Sequence, residues 1–285
     1  MKNIFYLFFV TFFIAFSACE RERNINLDIP YEGIRLELYA PIGEQQPIAI
    51  LLHRTLPVLA EDLNFKVIDG IVKLFENGIL VEQLRYDAQQ DRYISPSDFR
   101  PSATKMYHIE ASALGTSIVS ERVGFLPKVF IQSHTLQIDS ANNRAVVTVS
   151  FQDILQYKNF YSIYLKKYYN DTLLKPTTFD YQVTYRADFK DSLFAGSRYD
   201  FETDFYLENL IYDANYNLFE VKKINQLKVE LYSFSEGAYQ YPFTLGSSGS
   251  SVGGQFSDRL PLWTNVRGGY GAIFTYTLDT LTLRW

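Results

Sequence analysis

The chain has 285 residues, 47% of them hydrophobic and 16% aromatic, with 23 Phe and 22 Tyr, and a formal net charge of −5 at pH 7. Its 27 basic residues are scattered among 32 acids, which excludes the basic face or stripe that nucleic-acid binding requires. A single cysteine, Cys19, excludes an internal disulfide, so the fold must be held by packing.

At the N-terminus Lys2 precedes an apolar run from Ile4 to Phe16, broken only by Thr11. Such a run of about 13 residues matches the apolar stretch of a secretory signal and falls short of the ~20 that span a bilayer. Ser17 and Ala18 then lead into Cys19, followed by Glu20, Arg21, Glu22 and Arg23. This resembles a bacterial lipobox, with Phe16 where leucine is usual. The resemblance implies a signal peptide over 1–18, lipid on Cys19, a tether over 19–25, and anchoring to the outer membrane on its periplasmic or surface face. An ordinary secreted protein with an incidental Cys19 is the plainer alternative.

The mature length suits two β domains in tandem, since Tyr and Phe favour strands. An immunoglobulin-like sandwich is expected over 26–124 and a second, larger antiparallel β domain over 128–285, so the fold class is mostly β. In the first, Ile34, Leu36 and Leu38 alternate with Arg35, Glu37 and Tyr39, and Ile48 to Leu52 is an apolar run. Asn77-Gly78 sits between apolar runs, and both residues tolerate the positive φ of a type I′ hairpin turn. Gly124 and Pro127 mark a linker. In the second, Asn142-Asn143 joins a further hairpin, and Phe160 to Tyr169 and Leu227 to Tyr232 alternate with period two. Asp204 to Asn217 reads as a short helix or irregular loop, and no long amphipathic helix is expected. The run Gly246 to Gly254 lacks the Lys-Ser/Thr of a phosphate cradle and reads as a surface loop.

Three segments give the chain a resemblance to a known family. They are Gly70 to Gly78 followed by Tyr93; Ala145 to Asp153 followed by Asn159-Phe160-Tyr161; and Leu262 to Phe274. Together they resemble the Bacteroidota lipoproteins grouped as domain of unknown function 4249, with Phe160 where the family has Tyr and an extra Ala272 before Ile273-Phe274. The resemblance implies a setting beside outer-membrane TonB-dependent transporters.

Read without the family, Gly268, Gly269 and Gly271 beside bulky Trp263 and Tyr270 fit a bend where backbone passes close to a neighbouring strand. The functional alternative is a binding loop with Trp263 and Tyr270 as stacking platforms. Catalytic chemistry is not legible. His53, His108 and His134 are dispersed, there is no second cysteine for a metal, and no G-x-S-x-G elbow occurs. Asp180, Asp188, Asp191, Asp200 and Asp204 match neither an EF-hand nor a glycine-rich repeat and read as solvated loop charge. No cofactor, metal or catalytic residue is expected. The leading expectation is a lipid-anchored binding or accessory protein in nutrient capture, ahead of a structural envelope protein and, third, a hydrolase.

Overall fold

The computed structural model describes residues 33–56, 64–174, 184–190, 195–212, 218–249 and 262–285. The signal segment, Cys19 and the tether lie outside the described residues, as do Asp180, Asp191 and the run from Ser250 to Gly254. The chain is mostly β, with large antiparallel sheets.

The N-terminal half supplies β1 (Leu36–Gly43), β2 (Ala49–Arg54), β3 (Ile71–Glu76), β4 (Ile79–Asp87), β5 (Arg92–Ile94), β6 (Met106–Ala113), β7 (Thr116–Ser120) and β8 (Val123–Gly124). Then come β9 (Ile131–Asp139), β10 (Arg144–Gln152), β11 (Phe160–Tyr169), β12 (Thr172–Leu173), β13 (Thr184–Lys190), β14 (Arg198–Tyr206), β15 (Glu208–Tyr212), β16 (Leu218–Lys223) and β17 (Gln226–Phe234). A helix over Gly237–Gly249 precedes β18 (Val266–Arg267) and the long β19 (Tyr270–Arg284).

Turn chemistry sets the hairpins. Asn77 and Gly78 carry φ of +51° and +85°, the two positive values that a type I′ turn requires, and join β3 to β4. Asn143, at φ +53°, lies in the turn that joins β9 to β10. Two expectations are corrected. Asp204 to Asn217 is not a helix in its described part: it ends β14 and forms β15, because Phe201 and Phe205 recur with strand period on a core. The second is the 13-residue helix, which takes in Gly246 to Gly249 of the expected surface loop. Its Gly237, Pro242, Gly246 and Gly249 hide it from a propensity reading. It is held instead by packing of Tyr241 with Ala272 and Phe274.

Two large hydrophobic cores form among the described residues, beside two small clusters. The first gathers alternate residues of β1, β2, β3 and β6, among them Leu36, Leu38, Leu74, Tyr107 and Ile109, and takes Val266 and Ile273 from the C-terminal end of the chain. In the second, the sheet β14-β10-β9 is laid over β11 and β17: Val147, Val149 and Phe151 meet Tyr161, Ile163, Leu165, Leu227, Val229 and Leu231. Strand β19 runs through both. Its first half pairs in parallel with β1, Leu38 against Gly271, and its second half pairs antiparallel with β17, Leu231 against Asp279.

Tyr93 closes the first core. Its buried hydroxyl donates to Val67 O at 2.9 Å and accepts from Gly70 N at 2.8 Å, pinning the corner before β3. Tyr93→Phe leaves both backbone groups without that partner and is expected to cost about 1–3 kcal/mol in urea denaturation. An unchanged midpoint would show that solvent replaces the hydroxyl.

Candidate functional site

Five neighbouring strands in the order β13-β11-β17-β19-β1 share one sheet, and alternation divides their side chains between two faces. From β11, β13 and β17 one phase enters the second core. The opposite phase carries Arg186 and Asp188 on β13, Ser162 and Tyr164 on β11, and Tyr232 and Phe234 on β17. Tyr276 on β19 and Tyr39 and Pro41 on β1 continue it. With Ala238, Tyr239 and Pro242 of the helix, these residues line a cavity of about 640 Å³.

The rings touch in series. Tyr164 meets Tyr232 edge-on at 5.2 Å; Tyr232 lies nearly parallel to Phe234, 5.6 Å away and 7° between planes; and Tyr276 is 5.6 Å from Tyr232 and 5.8 Å from Phe234. Phe274 links Phe234 to Tyr39, at 6.2 and 5.2 Å. Tyr39, Tyr164, Tyr232, Phe234 and Tyr276 are each half-buried, so they form an aromatic cradle rather than a closed core. At the helix end Phe160 stacks on Tyr239 at 4.8 Å, and Lys190 Nζ sits 3.9 Å from the centre of the Tyr239 ring.

Polar groups fix the cradle. Arg186 Nε donates to Asp188 Oδ1 at 2.9 Å, Ser162 Oγ donates to the same oxygen, and the guanidinium lies 5.4 Å over the Tyr164 ring. Tyr232 Oη donates to Glu230 Oε2 at 3.0 Å, and Glu230 is bridged by Lys166 at 2.7 Å and Lys228 at 3.1 Å. Burial raises the phenols of Tyr39, Tyr164, Tyr232 and Tyr276, so all four are neutral hydroxyls near pH 7.

Burial also opposes ionisation of Glu230, but the hydrogen bonds from Lys166, Lys228 and Tyr232 outweigh it and hold the carboxyl below the ordinary glutamate range. A carboxylate whose folded pKa is depressed contributes stability above its unfolded pKa and loses it as pH falls through the folded one. Wild type is therefore expected to lose more stability between about pH 5 and 3 than Glu230→Gln. Parallel acid-unfolding curves for the two proteins would contradict this.

A family model described as Domain of unknown function (DUF4249) matches residues 22–282. The chain belongs to this family. Among curated proteins none matches. The three segments that resemble DUF4249 are structural fixtures in this fold. The first is the Tyr93–Gly70 corner. In the second, buried Asp153 accepts from Asn159 Nδ2 at 3.2 Å, Tyr161 Oη at 2.5 Å and Gly196 N at 2.7 Å. In the third, the Asn265 side chain donates to Ile273 O at 2.8 Å and accepts from Ile273 N at 2.9 Å, while Thr264 Oγ1 donates to Gly271 O at 2.8 Å.

The expected binding loop of this DUF4249 chain is divided by the structure. Gly268, Gly269 and Gly271 pass tightly against β7 and β1: an added Cβ would lie 2.6 Å from Ser117 O, 2.3 Å from Leu36 O and 1.9 Å from Leu38 O, respectively. Trp263 packs into the small cluster with Tyr241 and Phe274, and Tyr270 is covered by Arg35, whose Cζ is 5.5 Å from the ring centre. The cradle lies on other residues, which the sequence reading passed over. Asp188, taken as loop charge, stands on β13, and Asp200 and Asp204 stand on β14, paired with Arg198 and Arg144. The available signal was the tyrosines on the polar phase of two alternating strands, Phe160–Tyr169 and Gln226–Phe234.

His53, His108 and His134 stay apart, on β2, β6 and β9. Among the described residues no three His, Cys, Asp or Glu side chains are grouped to hold a metal, and no helix is long and apolar enough to cross a membrane.

Proposed function

We propose that this protein is a lipoprotein anchored through Cys19 to the outer membrane, where its aromatic cradle binds a ligand and passes it to a TonB-dependent transporter. The cradle carries the reading. An open cavity of about 640 Å³ lined by half-buried rings, with a few fixed polar groups, falls within the range of small-ligand sites, about 300–1,000 Å³. Support for the anchor comes from the lipobox-like Ser17-Ala18-Cys19 and the short apolar run before it.

Fractionation tests the anchor: Cys19→Ser is expected to move the protein from membranes to the soluble envelope fraction, and retention in membranes refutes lipidation. Mild detergent extraction tests the partnership, since a transporter should co-purify with wild type. A second reading, a structural protein working through protein contacts, draws on exposed apolar side chains along the β3–β4 hairpin and β6, where Ile79 is 71%, Ile71 47% and Met106 43% exposed. Loss of transporter co-purification on Ile79→Asp, with the cradle intact, would favour that hairpin as the contact.

A further inference from the structure

We infer that the cradle takes an acidic oligosaccharide, held by stacking on Tyr232 and its neighbouring rings and by a cationic rim; this rests on the ligand-binding reading above. The first argument is what the floor leaves unpaired. Strands β11 and β17, at the centre of the floor, are hydrogen-bonded on both sides, and β19 passes from pairing with β1 to pairing with β17, Tyr276 being paired with both. A peptide finds no free strand edge beneath the rings of β11 and β17, where recognition falls to side chains.

The second argument is ring geometry. Tyr232 and Phe234 are nearly parallel but only 5.6 Å apart, less than the ~7 Å that two carbon contact distances of about 3.5 Å demand for a planar ring to slide between them. Tyr232 and Phe234 therefore offer a platform and no slot between them for a flat ring. A pyranose suits a platform: its C–H face is apolar, and its hydroxyls project sideways. Beside the rings, Arg186 and Asp188 present a donor fork next to an acceptor, the pairing that two adjacent hydroxyls satisfy. The phenols of Tyr39, Tyr164 and Tyr276 remain protonated and add hydroxyls without negative charge, while that of Tyr232 donates to Glu230.

The third argument is sign. The chain is acidic, with formal charge −5, yet around the cradle Arg186, Lys190, Lys166, Lys228 and Lys158 face three carboxylates, Asp188, Glu230 and Glu236. Glu37, which accepts from Tyr241 Oη beneath the helix, reduces the excess without cancelling it. This small local excess of cations, in a molecule whose net charge is negative, favours an anionic ligand. A sugar bearing carboxylates meets stacking, hydroxyl and charge requirements together.

The test is calorimetric titration of the full chain in detergent micelles with a galacturonate oligomer and with an uncharged galactose oligomer of equal length. The acidic oligomer is expected to bind about tenfold tighter than the neutral one, and to weaken about tenfold between low and high salt. Tyr232→Ala should abolish binding and Tyr232→Phe should keep most of it, while Lys190→Gln and Lys228→Gln should each reduce the salt dependence. Circular dichroism melts confirm that the variants fold. Equal, salt-insensitive binding of both oligomers, or binding of the neutral oligomer or of a tryptic peptide pool alone, overturns the acidic sugar. If that binding is still lost in Tyr232→Ala, the cradle stands as the site. If neither oligomer nor the peptide pool distinguishes wild type from Tyr232→Ala, the ligand-binding reading falls with it.

Discussion

Gly271→Ala is expected to unfold the protein or destabilise it by more than about 4 kcal/mol. Gly271 sits at φ +121°, a conformation in which an L side chain is strained. The added Cβ would also stand 1.9 Å from Leu38 O and 2.6 Å from Leu38 N. Those atoms are backbone, so no rotamer change relieves the clash. Relief requires β19 to move away from β1, and that motion breaks the parallel pairing from Glu37↔Tyr270 to Gly43↔Tyr276. It also pulls Ile273 from the first core and disturbs Thr264 and Asn265, which hydrogen-bond the Gly271 and Ile273 backbone. Thermal melts of wild type and variant decide it. A shift of only a few degrees would mean that β1 and β19 can separate cheaply, and that their register is not what joins the two ends of the chain.

This interaction also marks where sequence legibility ends. Hairpins such as Asn77-Gly78 could be read because the turn and its two strands lie within about a dozen residues, and positive φ selects the residue types. The mostly β class was equally readable, since Leu227, Val229 and Leu231 alternate with Lys228, Glu230 and Tyr232 in plain view. Pairing of β1 with β19 joins segments more than 200 residues apart, and no local signal encodes it. Glycines near position 270 were rightly read as allowing close approach of a strand, without the sequence saying which one.

The cradle was hidden for a different reason. Tyr39, Tyr164 and Tyr232 occupy the polar phase of their strands, where a single tyrosine is ordinary half-exposed surface, and Tyr276 follows Ala272 and Phe274 on a phase of β19 that gives no such contrast. Only when the register of β1, β11, β17 and β19 brings them side by side do they become a site. The family segments were conspicuous because each contains residues with several obligations at once: Tyr93, Asp153 and Asn265 satisfy buried backbone or side-chain groups. Resemblance thus followed the scaffold, and of the cavity lining it takes in Phe160, Tyr161 and Phe274 but not Tyr39, Tyr164, Tyr232 or Tyr276.

Asp153 carries the second large effect. Its side chain is 3% exposed and gathers three donors from different places: Asn159 at the start of β11, Tyr161 two residues further on, and Gly196 ahead of β14. Its own N–H donates to Ser197 O at 3.1 Å, so one residue ties the end of β10 to β11 and to the turn ahead of β14. Asp153→Ala removes the acceptor for the Tyr161 hydroxyl and the Gly196 N–H, and at roughly 1–3 kcal/mol for each stranded group the expected cost is about 3 kcal/mol or more. Asp153→Asn keeps the shape and one acceptor oxygen, and should cost less than half as much. Tyr161→Phe removes one donor and the charge-assisted bond it makes, for about 1.5–3 kcal/mol. In the double variant Asp153→Ala, Tyr161→Phe, the hydroxyl is no longer present to be stranded. The two costs should therefore add to less than their sum, by about 1 kcal/mol or more. Urea denaturation of the four proteins measures this coupling. Strict additivity would show that the Tyr161 hydroxyl gains nothing from Asp153, and the latch at the edge of the second core would then reduce to the Gly196 and Asn159 contacts.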